Sequence, residues 1–195
     1  MKKVITSIKT SYFYVFLFAL FLMTNSVGAG QGLIKIDLFK VQPVITKTNT
    51  YKVQANISYQ LSDYLKKALL NGVTLKSDFR IYYEQPNNWF WNKQKKLKSL
   101  KFQLKYHALS RHYLLSRNDT QENWNFGNLP AALRQMGEIR NYVLPRLASK
   151  EKGDDSYISA VAYLESSTLS LPLRIQSFLS DKYSLVSQEV RWQLR

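Results

Sequence analysis

Between Tyr51 and Tyr83 the apolar residues change their spacing twice, and a chain with such a stretch is constrained to build two strands joined by a short helix. Val53, Ala55, Ile57 and Tyr59 alternate with Gln54, Asn56 and Ser58, the period of a strand with one buried face. From Ser62 the spacing lengthens: Leu65, Ala68 and Leu69 form a helical stripe, and Ser62 or Asp63 is placed to cap the exposed first-turn amides. Asn71-Gly72 ends that helix, because glycine tolerates the left-handed backbone common at a helix C-terminus. Val73, Leu75, Phe79, Ile81 and Tyr83 then resume alternation, less regularly near Lys76-Ser77. The unit carries no chemistry of its own; it ends just before Trp89-Phe90-Trp91 and sets where they emerge.

The remaining chain reads mostly as strands. Leu33, Ile34, Ile36 and Leu38 begin one that continues through Phe39 to Ile45 with a break at Pro43, and the polar Lys47 to Thr50 turns it into a hairpin with the strand at Tyr51. After the loop Gln85-Pro86-Asn87-Asn88, a basic stretch Lys93 to Ser99 leads into alternation from Leu100 to Tyr106. Arg111 to Ser116 is short and extended, and Asn118 to Asn125 is a polar connection. Asn128 is placed to cap a helix running to Leu144, with Pro130 at its permissive start and Gly137 weakening it without ending it. Tyr157 to Leu164 alternates again. Leu169 to Leu173 suits an edge crossing or an ordered loop, and Tyr183 to Trp192 a terminal strand. About seven strands and two helices favour a mainly β fold, an antiparallel β-sandwich with two short helices; the alternative is an α+β fold with helices packed on an antiparallel sheet.

Lys2, Lys3 and Lys9 precede the apolar run Tyr12 to Met23, and Val27-Gly28-Ala29 supplies small residues before a cleavage point. Residues 1–29 therefore read as a secretory signal peptide, or as an uncleaved N-terminal anchor, the run being shorter than the roughly 20 residues that span a bilayer. Residues 30–195 form a single β-rich envelope domain in this reading, exported and either periplasmic or attached to the inner membrane. The chain has no cysteine, so disulfides and cysteine-based metal or nucleophile sites are excluded. Its formal charge is +15, and three lysines fewer, +12, after removal of the first 29 residues. Such a surface attracts polyanions, and outside the cytoplasm these are anionic lipids, cell-wall polymers or acidic proteins before nucleic acid.

The strongest contact candidate is Trp89, Phe90 and Trp91 beside Lys93, Lys95, Lys96 and Lys98, with Lys101 and Lys105 further along. From Gln85 to Asn118 there is no acidic residue. Tryptophan suits a lipid interface while lysines meet anionic headgroups, and the same residue types make protein hot spots. The bland reading places one or both tryptophans in the core with the lysines solubilising the flank. No nucleic-acid partner is expected, since no helix-turn-helix, zinc finger or glycine-rich phosphate cradle is present. His107 and His112 have weak ligand spacing and share a side only if Ala108 to Ser110 turns the chain, so no metal is expected. Ser110, His112 and Asp119 are the residue types of a hydrolytic triad without a Gly-x-Ser-x-Gly elbow. Asp63, Asp78 and Glu84 are explained as capping and surface carboxylates. Asn56-Ile57-Ser58 and Asn118-Asp119-Thr120 match glycosylation acceptors and are read as polar surface. No catalytic residue and no cofactor is assigned.

The order of several features resembles a bacterial domain-of-unknown-function family, the one numbered 4390. They are Tyr59-Gln60-Leu61 through Ala68-Leu69, the Asn71-Gly72-Val73 turn, Trp89 and Trp91, Tyr106 to Tyr113 with Leu109 and Arg111, the Phe126 to Leu133 helix entry, and Leu171-Pro172-Leu173 before Trp192. The resemblance implies an exported or envelope-associated protein of proteobacterial type, with no catalytic residues to carry across, and a membrane sensor histidine kinase of the nitrogen-regulation type as partner. The functional expectation is a noncatalytic accessory or binding protein of the cell envelope. A carrier holding an apolar or anionic envelope ligand between its sheets is the alternative.

Overall fold

A computed structural model of the chain describes residues 32–85, 93–147, 156–166 and 184–194. The opening alternation closes into an antiparallel hairpin of β1 (Leu33–Pro43) and β2 (Tyr51–Gln60). A bulge between Ile36 and Leu38 reconciles the two apolar phases of β1. Ile34 and Ile36 lie opposite Tyr59 and Ile57; beyond the bulge Phe39 and Val41 take over opposite Ala55 and Val53, so one buried face runs the length of the strand.

The helix α1 (Asp63–Leu70) follows, and Ser62 rather than Asp63 caps it, its hydroxyl accepting from the Leu65 amide at 3.3 Å. Asp63 is exposed and pairs with Lys66 at 3.1 Å. Gly72, at φ +86°, turns the chain into β3 (Leu75–Gln85). Then come β4 (Lys93–His107), β5 (His112–Arg117) and β6 (Asn123–Phe126), the helix α2 (Leu129–Gly137), β7 (Glu138–Val143), β8 (Tyr157–Ser166), β9 (Ser184–Val186) and β10 (Val190–Gln193).

Two antiparallel sheets result. One has the order β1-β2-β7; the other runs β10-β8-β3-β4-β5-β6, with β9 also on β8. Their inner faces meet as a sandwich with two short helices, the fold class the alternation called for. The strands face each other in matching order: β1 lies beside β8, β9 and β10. The Tyr59 hydroxyl of β2 shares a buried 2.7 Å hydrogen bond with Ser77 of β3, and Arg117 of β5 stacks on Tyr142 of β7 at 5.5 Å. Phe79, Ile81, Leu100, Leu104, Ile158 and Leu164 are wholly buried between the sheets. Burial pushes the Tyr59 hydroxyl up to about 12, against the opposing effect of its Ser77 hydrogen bond, so it stays neutral and able to donate.

Four segments differ from the sequence reading. The helix expected from Asn128 to Leu144 stops at Gly137, and Glu138–Val143 is a strand paired with β2. Leu133, Met136, Ile139, Tyr142 and Val143 fit a helical period, but Ile139 opposite Ala55 and Tyr142 opposite Val53 complete the sheet instead, and β-branched and aromatic residues suit that outcome. The polar connection contains β6, where Trp124 sits opposite Leu115 with its ring half-buried against the core. The basic stretch Lys93 to Ser99 already belongs to β4. The terminal strand is present but interrupted: at Ser187 the backbone still bonds Ala162, while the Ser187 hydroxyl accepts from the Ala162 amide at 2.9 Å. Leu169 to Leu173 lies outside the described residues.

Gly137 is where α2 gives way to β7, and the reason is space. A Cβ on it would lie 1.9 Å from the Ile57 carbonyl oxygen and 3.4 Å from the Tyr59 ring. The clash is with the Ile57 carbonyl of β2, strand backbone that cannot yield, while the ring would sit at contact distance. Gly137→Ala is expected to destabilise the fold by about 3 kcal/mol, measured as a shift in the urea midpoint at unchanged slope.

Candidate functional site

The basic, aromatic segment singled out from the sequence is the β3–β4 turn and its second arm. Trp89, Phe90 and Trp91 lie outside the described residues. Lys93 opens β4 opposite Gln85, and the ladder continues with Gln94 opposite Glu84, Lys95 opposite Tyr83 and Lys96 opposite Tyr82. A bulge then inserts one residue, so that Lys98 comes opposite Ile81. Because of it, Leu97 turns onto the core while Lys95, Lys96 and Lys98 all remain exposed. A regular strand has to send every second residue inward, and this one avoids burying a lysine.

The carboxylate nearest this basic arm is not a surface group. Glu84 is only 4% exposed, contrary to the sequence expectation, because β8 and β10 flank it. Its Oε1 accepts from Ser159 at 2.5 Å and from Gln94 Nε2 at 2.9 Å, and Arg191 Nε lies 3.2 Å from its Oε2. Arg191 also pairs with Glu189 at 3.1 Å. Burial alone raises the Glu84 carboxyl, but hydrogen bonds donated by Ser159 and Gln94, together with the Arg191 charge, hold it below the usual carboxylate range. Its charge is thus spent within the fold, and it ties the C-terminal β10 to the root of the β3–β4 turn.

Asp119 is compensated in the same way on the other flank. Arg117 donates to both its oxygens, Nε at 2.6 Å and Nη2 at 2.9 Å. Burial raises the Asp119 carboxyl, and Arg117 with a smaller contribution from Lys98 brings it below its ordinary value. The Arg117 guanidinium also lies 5.8 Å from the Phe102 ring, so it joins the sheets as well as the loop. Asp78, likewise expected at the surface, is largely covered and bonded by Arg80 Nε at 2.7 Å and by the Ser99 hydroxyl.

The other sequence candidates separate. His107 and His112 face each other across the β4–β5 hairpin, brought together by the tight turn in which Arg111 has φ +56°. His107 Nδ1 meets the Ser110 hydroxyl at 3.0 Å, whereas His112 Nδ1 lies against the Ser110 carbonyl. With Asp119 held by Arg117, the hydrolytic set Ser110, His112 and Asp119 is not assembled. Among the described residues no group of three or more His, Asp or Glu side chains converges as metal ligands would. Asn56 is exposed in β2, and the Asn118 amide bonds the Lys101 carbonyl at 3.0 Å.

The sequence hid Glu84 and Arg117 because burial of a charged residue depends on partners far along the chain, and Glu84 falls out of phase with the apolar residues that end at Tyr83. A carboxyl depressed by folding stabilises above its unfolded value and ceases to as pH falls through its folded one. Glu84→Gln should therefore cost about 2 kcal/mol at neutral pH, a penalty that shrinks as pH falls below about 4. Urea unfolding of parent and variant at neutral and acid pH measures this.

No curated protein and no solved structure matches the chain. The model of one family does match, over residues 36–193, from within β1 to the end of β10. On that span, which includes the whole β3–β4 arm and both sheets, the chain belongs to the DUF4390 family, a domain of unknown function.

Proposed function

We propose that this protein is a noncatalytic, exported accessory or binding protein of the bacterial cell envelope, and that it contacts an anionic membrane surface through the β3–β4 turn. The observation that carries the reading is the group of exposed lysines Lys95, Lys96 and Lys98 on an arm whose neighbouring carboxylates, Glu84 and Asp119, are already engaged internally. From Gln85 to Asn118 the sequence adds no acidic residue, so the arm carries a net positive charge that attracts an external anion. Trp89, Phe90 and Trp91 are the groups that would enter the headgroup region beside them, with Lys93 at the base of the turn. Among the described residues a continuous cluster of buried apolar side chains lies between the sheets, which supports surface contact over carriage of a ligand in the core. The N-terminal basic and apolar pattern supports export, and the membrane sensor histidine kinase is the partner that the family resemblance implies.

The test is binding of the chain lacking residues 1–29 to phosphatidylglycerol-containing vesicles. Each lysine near an anionic surface is worth about 1 kcal/mol, so Lys95→Ala/Lys96→Ala/Lys98→Ala should bind about a hundredfold more weakly. W89A/W91A should also lose affinity, and added salt should weaken the parent. Equal vesicle affinity for the parent and both folded variants removes the membrane reading; affinity for a purified envelope protein that these same variants lose would move the contact to a protein surface.

A further inference from the structure

A second surface, sharing no residue with β3 or β4, is created where α2 replaces a strand. On the edge of β2 away from β1, β7 pairs with Lys52 to Asn56 and goes no further. Past that point the chain preceding β7 is helical, and among the described residues no strand pairs with Ile57 to Gln60 on this side. The Ile57 carbonyl points toward α2, as its approach to Gly137 requires. In an antiparallel ladder the backbone groups of alternate residues point the same way, so the Tyr59 amide and carbonyl are directed to this edge too, while Ser58 and Gln60 serve β1.

Between this edge and α2 is an open groove of about 650 Å³. Leu129, Pro130 and Leu133 form its helical wall, and Lys66 and Arg134 stand at its rim. No acidic residue lines it. Arg134 is exposed and has no ion-pair partner among the described residues; Lys66 is half-exposed, and its bond to the freely solvated Asp63 is of the weak kind that a competing anion displaces.

We propose that this groove is the docking site for an extended, acidic peptide segment of a partner protein, which adds to β2 as a strand beside α2. Backbone pairing at Tyr59, whose amide and carbonyl face the groove, supplies the attraction common to all such segments. Side chains on one face of the segment rest on Leu129 and Leu133, and carboxylates meet Lys66 and Arg134. A lipid offers no ladder of amides to satisfy this edge. A second copy of the chain is a poor occupant, because at +15 it brings further positive charge to a basic rim. The proposal stands apart from the membrane reading, since it involves neither the β3–β4 turn nor any particular compartment.

The probe is a fluorescein-labelled octapeptide alternating valine and glutamate, titrated into the full-length chain at physiological salt and followed by anisotropy and by amide NMR. Saturable binding is expected, with the largest shifts at Tyr59 and at Leu133. Two isomers, N-methylated at every valine or at every glutamate, block opposite edges of the peptide. One should bind at least about tenfold more weakly while the other is little changed, because only one edge faces β2. R134E, confirmed as folded by its amide spectrum, should also lose about tenfold, and a valine-lysine octapeptide should fail to bind. The proposal is overturned by absence of saturable binding, by equal effects of the two isomers, or by an R134E affinity equal to that of the parent. It is likewise overturned if the Tyr59 amide shifts with protein concentration alone, which would identify a second copy as the occupant, or with phosphatidylglycerol vesicles, which would identify lipid.

Discussion

The contact of Gly137 with the Ile57 carbonyl governs how the two sheets and α2 fit together. β2 is the strand all three share: one edge belongs to β1, the other is divided between β7 and α2, and its inner face reaches Ser77 of the opposite sheet through Tyr59. A side chain at 137 would push the helix away from that edge. With glycine there, the chain passes from helix to strand without leaving the edge of β2. Met136 and Ala132 can then close the sandwich at its β5–β6 side while Ile139 enters the sheet. The groove beside Tyr59 follows from the same geometry, because a helix cannot pair with a strand edge.

Charge is distributed with a similar economy. Glu84, Asp119 and Asp78 are each bound by an arginine, and Glu84 and Asp78 by further hydrogen-bond donors, in places where sheet or loop shields them from water. A buried carboxylate without such partners would be expensive, and with them it fixes the position of a neighbouring element. Here those elements are β10, the β5–β6 loop and the centre of the β3–β4 ladder. Because these acids are engaged internally, the surplus of lysine and arginine is expressed at the surface, along the β4 arm and at the rim of the β2–α2 groove. The protein's electrostatic character thus arises as much from where its few acids are held as from the number of its bases.

Much of the fold was legible from alternation alone. The β1–β2 hairpin, α1 with its Gly72 exit, β3, the second half of β4, β5 and β8 all stand where the spacing placed them. These elements have one wet face and one dry face, and that contrast is written into the local sequence. Bulges were less visible: the apolar phase of β1 changes between Ile36 and Phe39, but only pairing with β2 shows that one inserted residue reconciles the two halves. The candidate arm was legible in composition, as lysines beside tryptophans without an intervening acid. That Leu97 could turn inward while Lys96 and Lys98 stayed exposed required the ladder itself.

The sequence by itself determined a cysteine-free, strongly basic chain that buries alternating apolar residues in a β-rich sandwich, because periodicity and net charge are local sums over residues. Tertiary structure decided what depends on partners distant in the chain. Ile139 to Val143 fits a helix as well as a strand until β2 offers an edge to complete, and Glu84 reads as a surface acid until Ser159 and Arg191 arrive from β8 and β10. Gly137 reads as a flaw in a helix until the Ile57 carbonyl fills the space where its side chain would be. In each case the deciding term is a contact across many residues, and no local pattern contains it.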